Sequence, residues 1–208
     1  MIETIKAEQK TGREPFLGMP HTLCDYWAWA HSDIASNAER GKLAEYLVRC
    51  AVQADSPYRT EWDSFDVLSE EGIKIEVKAS SYLQTWRQER FSAIQFDIAP
   101  KRWWDAETNT YAQDKSRPAD VYVFCLFSCK NAGTANPLDL KQWDFYVLST
   151  RILDERAPHQ KRIGLNALLR LGAKKVPFSE IHPAVRACKK EQGQFEPQKP
   201  GRRQGKTP

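Results

Sequence analysis

Seven consecutive residues, Val121-Tyr122-Val123-Phe124-Cys125-Leu126-Phe127, carry no charge and no polar alternation. A short run rich in β-branched and aromatic side chains reads as a strand, and a strand apolar on both sides needs cover on both faces. Other segments supply that cover. A long helix is expected from Ser36 to Gln53, because Ser36 and Glu39 have capping-box spacing and Leu43, Ala44, Leu47, Val48 and Ala51 form one stripe. Shorter helical pieces are expected near Leu165–Leu171 and Glu180–Ala187, the latter capped by Ser179, and Thr150 is a cap for another. Strands are predicted at Phe65–Leu68, Ile73–Lys78, Ala93–Ile98 and Trp143–Leu148, and the polar, Pro-broken stretch 105–118 reads as a loop. Helices around a central run of strands make the class α/β.

Composition narrows the setting. With 208 residues, 41% of them hydrophobic, the chain can fill one core, and no apolar run approaches the roughly 20 residues that span a bilayer. Five cysteines, an odd number in a chain that needs no staples, point to reduced thiols and a cytoplasmic protein. The first ten residues lack a secretory signal's apolar segment. The whole net charge of +4 resides in Lys189–Pro208, which has six basic and two acidic residues; residues 1–188 are balanced. The expected organisation is one domain over 1–189 and a disordered basic tail over 190–208. A neutral body is not marked as nucleic-acid-binding by net charge, so local clusters must decide.

The decisive cluster is a hairpin. In Ile73-Lys74-Ile75-Glu76-Val77-Lys78 the apolar side chains alternate with charged ones, and Glu70-Glu71-Gly72 before them fits a three-residue loop with Gly72 in its left-handed position. That register sets Ser69 against Ile73, Val67 against Ile75, Asp66 against Glu76 and Phe65 against Val77. Phe65, Val67, Ile73, Ile75 and Val77 then share the core face, and Asp66, Glu76 and Lys78 share the other. Loops of two or four residues would set Asp66 against Ile75 or Val77, so pattern and turn chemistry agree.

Carboxylates facing each other across a strand pair sit about 5 Å apart at Cβ and repel unless a cation lies between them. Such oxygens suit Mg²⁺ or Mn²⁺, with the Val77 carbonyl as a third donor. Lys78 would stand beside that metal, where an ammonium stabilises charge on a phosphate or orients a water.

Asp66, a nine-residue gap and Glu76-Val77-Lys78 resemble the PD-(D/E)XK nuclease superfamily, whose pattern is a helix bearing a Glu, a strand bearing the Asp and a strand bearing Glu-x-Lys. Gly41-Lys42-Leu43-Ala44-Glu45 resembles the helical element, with Glu45 as its acid. The resemblance covers roughly residues 36–128. Phe65 stands where the name-giving Pro would be, a position that carries no ligand. The resemblance implies a restriction-endonuclease-like core with a central mixed sheet, and a divalent-metal-dependent nuclease acting on DNA. Asp66 and Glu76 would hold the metal with Val77, Lys78 would stabilise charge, and Glu45 would support metal or water. Many such enzymes pair two sites, so a homodimer is compatible, although no residue here specifies one.

Competing readings are weighed on the same residues. Three carboxylate-x-Lys triplets occur, at Glu8, Glu76 and Asp139, and only the middle one has strand alternation, a partner carboxylate and a preceding acidic helix. The plain alternative is a solvated hairpin face; the functional rival is a non-catalytic module of the same fold that holds nucleic acid or a protein. Gln95 borders the site if its strand lies beside that of Glu76. Arg87, Arg90, Lys101 and Arg102 are candidate DNA contacts, the last two next to Trp103 and Trp104. The Cys and His spacings match no common zinc module.

Overall fold

Residues Val121–Phe127 form a strand buried at every position, and the molecule is built around it. The computed structural model describes residues 5–60, 63–105 and 110–193. In chain order the elements are helices α1 (Leu23–His31) and α2 (Asn37–Ala51), then strands β1 (Val67–Leu68), β2 (Lys74–Ser81), β3 (Gln95–Asp97), β4 (Trp104–Asp105), β5 (Thr110–Tyr111), β6 (Val121–Phe127) and β7 (Trp143–Ser149). Helix α3 (Thr150–Arg156), strand β8 (Arg162–Gly164), helix α4 (Leu165–Arg170), strand β9 (Lys174–Val176) and helix α5 (Ile181–Gly193) follow. The central mixed sheet has the order β1-β2-β6-β7-β9, with β2 and β6 parallel and the other pairs antiparallel. Among the described residues, no helix is long and apolar enough to cross a membrane.

Cover arrives from both sides, as the apolar run demands. Helices α2 and α5 bury Ile75, Val77, Val121, Val123, Cys125, Phe145 and Val147. The opposite face, with Tyr122, Phe124, Leu126, Tyr146 and Leu148, packs on α3, α4 and a ribbon made by β3 and β8. At roughly 1.5–3 kcal/mol per buried large apolar side chain, this double burial dominates the fold's stability. The parallel register sets Glu76 beside Tyr122 and Lys78 beside Phe124, so the two charged side chains project to the ribbon side of the sheet.

Sequence expectations and structure diverge at several places. Ser36 caps α2 through the Glu39 amide, at 3.4 Å, but the Glu39 side chain turns to His31 and Lys42 rather than back to Ser36. The stretch read as a loop over 105–118 carries part of the small β4–β5 hairpin. Helix α5 runs through Gly193, so Lys190–Gly193, assigned to the tail, are helical: Lys and Glu are good helix formers, and Lys174 pairs with Glu191 at 3.6 Å. Residues 194–208 lie outside the described residues.

The hairpin turn behaves as its sequence dictates. Gly72 adopts φ +76°, which a Cβ would strain, and its N–H bonds the Ser69 carbonyl at 2.9 Å. Glu71 at the tip is clamped by α5: His182 Nε2 lies 3.0 Å and Arg186 Nε 2.5 Å from Glu71 Oε1. Asp120, before β6, makes a second clamp, accepting from the Lys74 amide at 3.0 Å and from Lys189 Nζ at 2.7 Å. Surface ion pairs stabilise by at most about 1 kcal/mol each, so these clamps chiefly fix where the hairpin sits.

The hydrogen bond from His182, with Arg186 beside it, holds the Glu71 carboxyl at about 2, below its ordinary 4.5. A depressed carboxylate pKa contributes stability above the unfolded value and loses it as pH falls through the folded one. Melting temperature should therefore fall more steeply in the parent than in Glu71→Gln between about pH 4.5 and pH 2, and the two curves should run parallel above about pH 5. Parallel curves throughout would show that the clamp is electrostatically silent.

Candidate active site

Strand β1 is only two residues long because the ladder slips at Asp66. Pairing holds at Leu68↔Lys74 and Val67↔Ile75, the register read from the turn. The Asp66 amide then bonds the same Ile75 carbonyl, at 3.0 Å, instead of advancing along the ladder. A one-residue slip of this kind is a β-bulge, and it re-aims a side chain at a strand end. The backbone of Phe65 consequently does not serve the Val77 amide. The Asp66 carboxylate does, with Oδ2 2.7 Å from Val77 N. Phe65, expected in the core opposite Val77, is half-buried in a cavity wall, with Lys74 Nζ 5.6 Å from its ring centre. An extended residue points its N–H and C=O to the same strand edge, so the Val77 carbonyl faces the side on which Asp66 sits.

Three of the four predicted acid and base groups meet at this edge, and the fourth reaches it from the helix layer. Lys78 Nζ is 2.5 Å from Glu76 Oε1, and both side chains are more than four-fifths buried. Asp66 and Glu76 line one cavity of about 260 Å³, together with Lys101, Arg102, Trp103, Trp104, Tyr111 and Tyr122. Glu45, on α2, shares with Asp66 a second cavity of about 460 Å³ on the other side of the strand edge. Arg59 Nε lies 2.5 Å from Glu45 Oε2, with Nη2 3.4 Å from Oε1.

Burial is the largest influence on each of these groups, and the neighbouring charges modify it. Burial pushes Glu76 above its ordinary range; Lys78 pulls it back, and Asp66 pushes it up again. Burial alone would lower Lys78, yet Glu76 and Asp66 raise it above its ordinary value, so it stays an ammonium. Glu45 is raised, first by burial, with Arg59 opposing and Asp66 adding. Tyr122 is also pushed up, by burial and then Glu76, and remains a neutral phenol.

The remaining candidates divide. Lys101 and Arg102 line the smaller cavity, and Lys101 also holds Asp97 at 2.9 Å. Gln95 is exposed on β3 and lines neither cavity; Asp97, two residues on, is the β3 group that acts on Lys78. Arg87 and Arg90 are exposed in the loop after β2 and line neither cavity. Among the described residues, no three His, Cys, Asp or Glu side chains converge as a metal-binding group; the oxygen donors here are two carboxylates and a backbone carbonyl. Arg59 and Tyr122 were not foreseen. Arg59 sits in an aperiodic loop that gives no pattern to read, whereas Tyr122 follows from the β6 alternation once the β2–β6 register is known.

Residues 24–165 match the bacteriophage T4 endonuclease IV family. The chain belongs to that family. It is thereby placed among nucleases, and Glu45, Asp66, Glu76 and Lys78 all fall inside the matched span. No curated protein matches the chain. The family match stops at Leu165, so α5 and its clamps on the hairpin lie beyond it.

If Arg59 offsets the burial of Glu45, Arg59→Ala should move the Glu45 carboxyl titration further upward. Carboxyl-carbon NMR of parent and variant reads this directly, and an unmoved midpoint would exclude Arg59 as its counter-charge.

Proposed function

We propose that this chain is a divalent-metal-dependent deoxyribonuclease of the PD-(D/E)XK type. One observation carries the reading. Asp66 and Glu76 line a single cavity at the strand edge, and Glu76 is paired there with the largely buried Lys78. A solvated hairpin face would leave Glu76 and Lys78 in water, and they are largely buried.

The donor set fits a hard cation: two carboxylates and the Val77 carbonyl are the oxygen ligands that Mg²⁺ and Mn²⁺ prefer. A metal held by Asp66, Glu76 and Val77 would supply Lewis acidity toward a phosphate oxygen and acidify a water. The chain's own groups do the rest. Lys78, kept protonated by Glu76 and Asp66, stabilises the negative charge that grows on the phosphate as the P–O bond breaks. Glu45 orients water from the helix side, with Arg59 opposing the upward push of burial on its carboxyl. Lys101 and Arg102, in the wall of the same cavity, neutralise phosphates of the bound DNA.

Asp66→Asn tests the reading cleanly, because an amide oxygen can still accept from the Val77 N–H and preserve the fold. With Mn²⁺ and plasmid or linear DNA, cleavage should fall by about 100-fold or more in Asp66→Asn, and the metal-induced rise in melting temperature should disappear. The metal-free variant should melt at or above the parent's temperature, since one of two repelling carboxylates is gone. Lys78→Ala should also lose cleavage but keep the metal response. Identical metal responses in all three proteins would refute a metal site at this hairpin, and DNA binding without cleavage by the parent would favour a non-catalytic module.

A further inference from the structure

Helix α2 carries a second face that the fold does not consume. Arg40, Ala44 and Val48 form its buried stripe. Lys42, Glu45, Tyr46 and Arg49, spaced i, i+3, i+4 and i+7, form a different one, and all four line the cavity of about 460 Å³ that reaches Asp66. Tyr58 closes that cavity from the following loop. Tyr46 and Tyr58 remain 58% and 41% exposed inside this concavity, so their ring faces are open to a ligand. Its volume falls within the roughly 300–1,000 Å³ of ordinary ligand sites.

The cavity is built rather than adventitious. Arg49 donates through Nε and Nη2 to the Ser56 carbonyl, at 2.9 and 2.6 Å, which anchors the 52–60 loop against the helix. Tyr58 Oη bonds the Ala7 carbonyl at 3.2 Å, so the N-terminal segment forms part of the rim. The chemistry of the wall, cations beside aromatic faces, repeats what lies across Asp66, where Lys101 and Arg102 stand with Trp103 and Tyr111. Two cavities of the same character thus meet at Asp63 and Asp66.

We infer that the Lys42–Tyr46–Tyr58 cavity is a substrate subsite, holding the nucleotide next to the cleaved phosphodiester on the side opposite Trp103. The base lies on the phenol faces, and Lys42, which holds Glu39 at 2.9 Å in the free protein, turns to the phosphate. The DNA strand therefore crosses the sheet edge at Asp66, with one flanking nucleotide in each cavity. This inference rests on the nuclease reading above and adds the path of the strand.

The experiment uses the full chain and short labelled oligodeoxynucleotides cut at one mapped linkage. Binding is measured by anisotropy in EDTA over a salt series, and cleavage kinetics are measured with Mn²⁺. Tyr46→Ala should weaken binding about tenfold and raise KM with kcat nearly unchanged, while Tyr46→Phe, which keeps the ring, should bind as the parent does. Lys42→Ala should lower the slope of log affinity against log salt by about one. Substrates shortened on one side of the cut should lose their sensitivity to Tyr46→Ala, and substrates shortened on the other side should retain it. If Tyr46→Ala and Lys42→Ala melt, bind and cleave like the parent while Asp66→Asn is inactive, the subsite is wrong and the nuclease reading stands. Sensitivity to Tyr46→Ala that ignores truncation on both sides also overturns the subsite. A parent that does not cleave with Mn²⁺ overturns both.

Discussion

The hydrogen bond from the Val77 amide to the Asp66 carboxylate is the contact on which the site depends. A β1 strand continued regularly to Phe65 would have paired the Val77 amide with backbone rather than with the Asp66 carboxylate. The slip at Asp66 removes that backbone, and a buried amide left unpaired costs about 1–3 kcal/mol. The Asp66 side-chain oxygen supplies the missing acceptor and offsets that cost. The fold therefore holds Asp66 in place with or without a ligand, committing one of its two oxygens to Val77. Opening the edge and positioning the first acid are the same event.

The inner groups around this edge ride on regular, well-packed elements. Glu76 and Lys78 ride on β2, which is paired along seven residues with the fully buried β6. Glu45 rides on α2, whose buried stripe packs on β2 itself. The turn that precedes β2 is tied to α5 through Glu71, and the start of β2 is tied to the start of β6 through Asp120. Side chains on strands and helices hold their positions more closely than side chains on loops. Loops supply only the outer groups: Arg59, Tyr58, Lys101 and Arg102.

Local rules in the sequence reached far into this arrangement, and they stopped where tertiary geometry took over. Gly72 and the alternation around it fixed a register that the structure reproduces at Val67↔Ile75. The apolar run Val121–Phe127 gave the central strand and the need for two layers of cover. The bulge at Asp66 was illegible, since its residues suit a regular ladder equally well; the consequence was Phe65, moved from the core to a cavity wall. The β3–β8 ribbon joins residues almost seventy positions apart, a pairing that no local pattern encodes. Hence local pattern points to Gln95 as a border residue, while Asp97, on the same strand face, is the one that acts on Lys78. The stripe Lys42, Glu45, Tyr46, Arg49 was present in the sequence as helical spacing, but only the cavity beside it gives that spacing a meaning.

The charge arrangement explains why a lysine belongs beside the two acids. Unit charges 4 Å apart interact by about 4 kcal/mol at the effective dielectric of a protein surface, so the site's charge balance matters more than any single hydrogen bond there. The outer acids have their own partners, Glu45 with Arg59 and Asp97 with Lys101, each cation substantially exposed and able to move. The inner pair, Asp66 and Glu76, shares Lys78, and one ammonium cannot neutralise two carboxylates. Burial raises Glu76, with Asp66 adding to it, and the two carboxylates together hold Lys78 protonated against its own burial. In the proposed reading, two carboxylates balanced by a divalent cation leave the Lys78 charge without a full counter-charge. It is then available to a phosphate brought to the same edge. In that reading the Glu76–Lys78 ion pair, at 2.5 Å, would be the resting form of a charge that turns to substrate.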